Sequence, residues 1–227
     1  MGTHALRMRW LDLLFLHWRL EPEALEARLP EGLVLDTFDG SAWIGLVPFD
    51  MRIAPRALPY LPWLGAFPEI NVRTYVRRED AHGVWFFSLD VSHALPVWVA
   101  RTLFHLPYFK AKVGCQRLAD GTIDYRLDHP ERQAHVRYRP SGIHIPAPVG
   151  SLEHFLTERY FLYSADARGR LFRGRIAHQA WPLEAVEVAL DANTATPPFG
   201  AEGPPASALF SRALDVKAWP LQPLSKT

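Results

Sequence analysis

A single cysteine, Cys115, stands in a chain of 227 residues, so no internal disulfide can form and nothing in the sulfur chemistry calls for an oxidising compartment. Lysine is nearly as scarce, supplying four of the 25 cationic side chains while arginine supplies the rest. Long apolar runs are missing as well. The longest, residues 94–109, is broken by Arg101 and His105, and the opening MGTHALRMRW lacks the apolar stretch of a signal peptide. A cytoplasmic protein with no membrane partner is therefore expected. A net charge of +1 with scattered signs provides no field for nucleic acid. The one basic cluster, Arg168, Arg170, Arg173 and Arg175, flanks Gly169 and Gly174 and reads as a solvated hairpin.

Catalytic signatures are also absent. The chain contains no G-x-S-x-G elbow, phosphate loop, dinucleotide glycine fingerprint or H-E-x-x-H, which removes the familiar hydrolase, nucleotide and zinc-protease readings. Ten histidines are dispersed, with His154 and Glu158 the one i, i+4 couple, read as a surface pair; no metal and no cofactor are expected. His178 reads as a hydrogen-bonded core histidine.

What is present describes a folded protein rich in strands. Apolar residues make up 48% and aromatics 12%, with eight tryptophans, enough for one substantial core, and a single domain over residues 1–227 is expected. Leu11–Leu20 reads as a buried strand and Pro22–Leu29 as a short helix. Asp39-Gly40 predicts a hairpin joining Val34–Phe38 to Ser41–Val47, and Asp120-Gly121 predicts another leading into Thr122–Leu127. The proline- and aromatic-rich stretch Ala54–Pro68 reads as a lid over a pocket. Ser151 should cap a helix through Leu156. From Glu69 to Arg78 the alternation is clean, with Glu69, Asn71, Arg73, Tyr75 and Arg77 on one face. About ten short strands with tight turns predict an α+β, predominantly antiparallel β protein curled into a barrel with a few short helices, and in a barrel that polar face can point inward.

The two lysines at Lys110 and Lys112 carry the first functional expectation. Ser92–Leu106 reads as a helix that Pro107 ends, followed by a strand on which Tyr108, Lys110, Lys112 and Gln116 share a face. Arginine stays charged, whereas a buried lysine near another cation becomes a neutral nucleophile toward carbonyls. Reaching neutrality near pH 7 requires roughly 4 kcal/mol. A second ammonium about 7 Å away supplies roughly 2 kcal/mol at an effective dielectric of about 20. Burial must supply the remainder.

The segments LFLHW (14–18), LDTFDGSAWIGLVPF (35–49), PEINVRTYV (68–76), RTLFHLPYFKAKV (101–113), FLTERYFLY (155–163) and HQAWPL (178–183) resemble the YqjF-like family of uncharacterised bacterial proteins. That family is grouped with the acetoacetate decarboxylase superfamily. The resemblance implies a cone-shaped, largely antiparallel barrel enclosing a polar pocket. It also implies a helix that ends at proline and is followed by adjacent lysines, one of which forms a Schiff base with a β-keto acid. This sequence differs there, because Tyr108 and Phe109 separate Pro107 from Lys110 and the lysines are not adjacent.

The combined expectation is a small-molecule barrel acting on a keto or carboxylic acid. Lys110 or Lys112 would attack the carbonyl, Glu69 would handle protons, and Arg73 would clamp the carboxylate beside Asn71, Tyr75 and Tyr108. Arg137, on a face shared with His135 and Arg139, is a further ligand-binding candidate. The alternative is a non-enzymatic module holding a small apolar or anionic metabolite in the same pocket. The partner is a small molecule in either case, and the sequence leaves room for a homo-oligomer.

Overall fold

In chain order the elements are β1 (Leu6–Leu20), α1 (Glu23–Glu26), β2 (Val34–Leu35), β3 (Ala42–Pro55), β4 (Ala66–Arg78), β5 (Ala81–Val91), β6 (Tyr108–Lys110) and β7 (Lys112–Arg117). They continue with β8 (Ile123–His129), β9 (Arg132–His144), α2 (Leu152–Thr157), β10 (Phe161–Ala165), β11 (Leu171–Ala177), β12 (Glu184–Asn193), β13 (Ser207–Ala218) and β14 (Gln222–Pro223). The computed structural model describes residues 2–60, 65–92 and 104–225.

Strand β1 shows why the sheet has two buried faces. It is apolar on both sides, and the two-residue period sends Leu14, Leu16 and Trp18 into one core and Leu13 and Phe15 into another. Its neighbours β3 and β13 both run antiparallel to it. From β3 the sheet continues through β4 and β5, then crosses to β10, which lies parallel to β5, and on to β11. Strand β11 in turn meets β13 at Ile176↔Ala218 and Ala177↔Lys217, so the path closes into a barrel-like ring. Phe15, Phe49, Val91, Leu209 and Val216, each from a ring strand, fill its interior together with Tyr108 from β6 and Trp181 from a connecting segment.

The rest of the sheet leaves the ring at β13 through β12, β9, β8 and β7. Tyr125, Tyr138, Ile123 and Val136 from this second layer pack on Leu14, Leu16, Ile44, Leu46, Ile70 and Val72, the outward side of the ring. Tyr125 also directs its hydroxyl to the carbonyls of Phe49 and Glu69 at 2.7 and 2.9 Å, which fixes the outer layer to the ring strands that carry the polar row. The architecture is predominantly antiparallel, as the alternation predicts.

Three local expectations are corrected. The Asp39-Gly40 turn forms, with φ of 48° and 71° at its two central residues, but only Phe38 and Ser41 bridge across it. Strand β2 then pairs with β4 and not with β3, because Val34 and Leu35 find Arg77 and Val76. The first strand begins at Leu6, five residues earlier than the apolar run suggests, since its exposed half still has β3 and β13 to pair with. The strand expected to run unbroken from Tyr108 is interrupted at Ala111: β6 is parallel to β5, whereas β7 is antiparallel to β8. Most of the helix expected at Ser92–Leu106 and part of the Ala54–Pro68 segment lie outside the described residues. The Ser151 cap is present, its hydroxyl accepting from the His154 amide at 3.2 Å. Among the described residues, no helix is long and apolar enough to cross a membrane.

Candidate functional site

The odd-numbered residues of β4 face the ring interior, the same side as Phe67 of the inner core. Glu69, Asn71 and Tyr75 are buried and Arg73 is half-buried, which places a row of polar groups where an apolar core would otherwise continue. Four of the predicted site residues are therefore brought together by one strand. Tyr108 joins them from β6, its hydroxyl donating to Glu69 Oε2 at 2.8 Å.

Burial dominates the electrostatics at this end. It lifts the Glu69 carboxyl to about 7, against the downward pull of the hydrogen bonds from Tyr108 and Asn71, and nearby Asp90 adds to the rise. Burial, with Glu69 beside it, also pushes the Tyr108 phenol well above its ordinary range, so Tyr108 keeps its proton. Glu69 therefore gains and loses its proton near neutrality while Tyr108 stays protonated, and among the described residues no salt bridge reaches this carboxyl.

The other end of the row contains a residue that sequence reading passed over. His17 of β1 is fully buried, and its Nε2 lies 2.6 Å from the Tyr75 hydroxyl. Tyr75 also sits 2.7 Å from the carbonyl of Leu156, in helix α2. A carbonyl can only accept, so the single phenolic proton goes to Leu156, and His17 must donate from Nε2. Burial, aided by the Arg73 guanidinium, drives the imidazole pKa well down and keeps the ring neutral. A neutral ring with its proton on Nε2 has a bare Nδ1. Among the described residues that buried atom has no hydrogen-bond partner, and neither do Asn71 Oδ1 and Arg73 Nε.

The glycine opposite makes room for this arrangement. His17, Gly45 and Arg73 stand in register across β1, β3 and β4. A Cβ on Gly45 would lie 2.8 Å from His17 Nε2 and 3.6 Å from Arg73 Cγ. Gly45→Ala is therefore expected to push His17 off Tyr75 and to cost about 1–3 kcal/mol, read as a fall in the urea midpoint. An unchanged midpoint would mean that the imidazole has slack the packing does not show.

Arg73 places its guanidinium carbon 5.3 Å from the Phe15 ring centre and reaches the Leu156 carbonyl at 3.4 Å. Below Tyr75 lies a buried ion pair, Arg159 with Asp36 at 2.5 Å, the Arg159 guanidinium 4.9 Å from the Tyr75 ring centre and His82 on the same carboxylate at 2.8 Å. Phe155 of α2 lies 5.1 Å from Tyr75, centre to centre, so the short helix caps this end of the ring.

The remaining predicted residues lie elsewhere. Lys110 and Lys112 are both exposed. Lys112 has 89% of its side chain open to solvent and pairs loosely with Asp128 at 3.7 Å. The expected withdrawal of two amines from water is not met: Lys112 lies beyond the break at Ala111, and Lys110, although two residues on from the buried Tyr108, stands in solvent at the end of β6. Arg137 projects outward from β9 and is held by both oxygens of Asp191 at 2.7 and 2.9 Å. Glu158, from the His154 couple, is engaged by the Tyr160 hydroxyl at 2.5 Å and the Trp181 amide at 2.8 Å. His178 is half-buried, stacked on Tyr160 at 4.7 Å and bonded to the Gln179 carbonyl at 2.7 Å.

Comparison with known proteins bears on both the fold and the family. The DUF2071 family, described as uncharacterized conserved protein, matches residues 7–215. The uncharacterized protein YqjF of Bacillus subtilis (strain 168) is 40% identical over 97% of this chain and 93% of its own. Among solved structures, the enduracididine biosynthesis enzyme MppR complexed with pyruvate superposes with a TM-score of 0.71 at 15% identity, covering 99% of this chain and 92% of that one. The acetoacetate decarboxylase of Legionella pneumophila gives a TM-score of 0.70 at 12% identity, covering 99% and 90%. An acetoacetate decarboxylase-like enzyme of Sphingomonas wittichii RW1 gives 0.69 at 13% identity, covering 100% and 95%. These structural likenesses establish a shared acetoacetate decarboxylase-like fold.

Proposed function

The chain belongs to the DUF2071 family, and from that premise we propose that it binds a small carboxylate-bearing molecule inside the ring without forming a covalent bond to it. One observation carries the reading: Glu69, Asn71, Arg73, Tyr75 and His17 face the interior of an otherwise apolar ring, and three of their buried polar atoms have no partner among the described residues. Buried polar groups are costly unless satisfied, and a pocket lined by apolar side chains with a few convergent polar ones is the usual form of a ligand site.

Arg73 is the anion partner in this reading. Its guanidinium is the permanent cation of the row, and a carboxylate would take its unmatched Nε–H. Glu69, whose pKa stands at about 7, is largely protonated below that pH and does not repel an anion bound beside it. Tyr108 takes the place directly after Pro107, and it is a phenol that keeps its proton, not an amine that attacks carbonyls. The pyruvate bound by MppR shows that this fold can hold a small oxo acid in a relative, which supports the size class of ligand.

Scanning the melting temperature against a panel of C3–C6 carboxylic acids tests the reading. At about a hundred times the dissociation constant a true ligand should raise the midpoint by ~5–10 °C, and Arg73→Met should abolish the rise. Borohydride added with each stabilising oxo acid should leave Lys110 and Lys112 unmodified by mass. A trapped adduct on either lysine would restore the covalent chemistry, and a flat panel would remove the pocket.

A further inference from the structure

We propose that the polar row of the ring interior selects hydroxylated carboxylic acids over oxo acids, the ligand hydroxyl donating to His17 Nδ1 while its carboxylate accepts from Arg73 Nε. This rests on the reading of the interior as a ligand pocket and goes further by naming the ligand class.

Three buried polar atoms of the row have no partner among the described residues: His17 Nδ1, Asn71 Oδ1 and Arg73 Nε. The tautomer of His17 follows from the shared phenol, since Leu156 must receive the Tyr75 proton at 2.7 Å and His17 must then supply one to the phenol oxygen at 2.6 Å. The reverse assignment would leave two oxygen lone-pair sets facing each other at 2.7 Å with no proton between them. Nδ1 is thus an acceptor. Asn71 turns its amide nitrogen to the Glu69 carboxyl, which leaves its oxygen as a second acceptor. Arg73 Nε is a donor. A ligand that completes the row therefore brings one acceptor group and at least one donor. A carboxylate with a neighbouring hydroxyl does so, whereas a 2-oxo acid brings acceptors alone and sets its carbonyl lone pairs against that of Nδ1.

The two ends of this set are close neighbours. Gly45 lies between His17 and Arg73 in register, and the place its Cβ would take is 2.8 Å from His17 Nε2 and 3.6 Å from Arg73 Cγ, so the imidazole and the arginine stem are packed against the same stretch of backbone. None of the three unmatched atoms touches solvent, so a ligand reaches them as the enclosing side chains part, exchanging unmade hydrogen bonds for made ones.

Titration calorimetry on the full chain at about pH 7 tests the selection with two matched pairs, lactate against pyruvate and 2-hydroxyglutarate against 2-oxoglutarate. The hydroxy member of each pair should bind at least tenfold tighter, the margin expected when a buried acceptor is left unpaired by one of two near-isosteres. Nitrogen-15 NMR of the histidine rings, which needs no variant, should find His17 Nδ1 unprotonated in the free protein and shifted by the hydroxy acid. Oxo acids binding as tightly as their hydroxy counterparts, or a proton on Nδ1, would overturn the inference while leaving the pocket standing. If neither series binds nor raises the melting temperature, the pocket reading falls and this inference with it.

Discussion

Glu69→Gln is expected to yield a protein that gains about 3 kcal/mol on the wild type as the pH is raised from about 4.5 to about 8. The sign follows from where the proton sits. Glu69 titrates at about 7 in the folded protein, against 4.5 for a free glutamate, because the ring interior disfavours the carboxylate. Between those values the folded state holds a proton that the unfolded chain has released, so the wild type loses stability as the pH climbs through the interval. An amide has no such proton. Its oxygen can still accept from Tyr108. The difference between the two proteins is the proper observable, because His17 works in the opposite direction. Its lowered pKa makes the folded state bind fewer protons below about 6.5, so its contribution is lost on acidification, equally in both proteins. Urea unfolding at a series of pH values measures the difference directly, and parallel curves would mean that Glu69 is solvated or paired in a way the packing does not show.

The second large effect lies at Asp90, a fully buried carboxylate that receives two hydrogen bonds from Arg132 at 2.8 and 2.6 Å. Asp90→Ala is expected to cost 3–5 kcal/mol, since removing one partner of a buried pair strands the other charge. The pair does more than join β5 of the ring to β9 of the outer layer. Asp90 stands beside Phe109 in the ladder, and the Arg132 guanidinium carbon lies 4.4 Å from the Phe109 ring centre. Phe109 follows Tyr108, so the ion pair presses β6 into place and with it the hydroxyl that contacts Glu69. Asp90→Ala combined with Arg132→Met should recover part of the loss, because the double change leaves no orphaned charge. A loss below about 1 kcal/mol for the single change would show that Arg132 escapes to water at little cost.

Much of the interior was legible before any coordinates, and the reason is periodicity. The alternation from Glu69 to Tyr75 runs in an unbroken strand whose two faces meet two different cores, so the parity of a residue fixes its side. The same rule failed at the lysines for two reasons: Lys110 shares the parity of Tyr108 but stands in solvent at the end of β6, and Lys112 lies past Ala111, where pairing passes from β5 to β8. Neither a change of partner nor the end of a strand leaves a mark on local alternation, and either is enough to undo a parity argument. The adjacency of β2 and β3 failed for a related reason. A turn signal specifies the turn, here Asp39-Gly40, and not how far the arms stay together. His17 was visible only as a polar residue in the apolar run LFLHW. The hint that could have promoted it was Gly45, a glycine inside an apolar strand, where a missing side chain often marks a close approach. Arg159 and Asp36 could not have been matched from sequence, since their meeting depends on the closed ring.

Closure of that ring has a bearing on how the chain matures. Strand β1 receives β3 soon after it is made, but its other edge waits for Ser207–Ala218, with Leu6 set against Ala218. The edge of β11 waits for the same segment and for Gln222-Pro223 just after it. A growing polypeptide that has reached β12 therefore still has bare edges on β1, β11 and β12 and no finished interior. Pairing between opposite ends of a sequence is the slow kind, so a nascent copy lives longest in its most adhesive form and leaves it only when its last strands arrive.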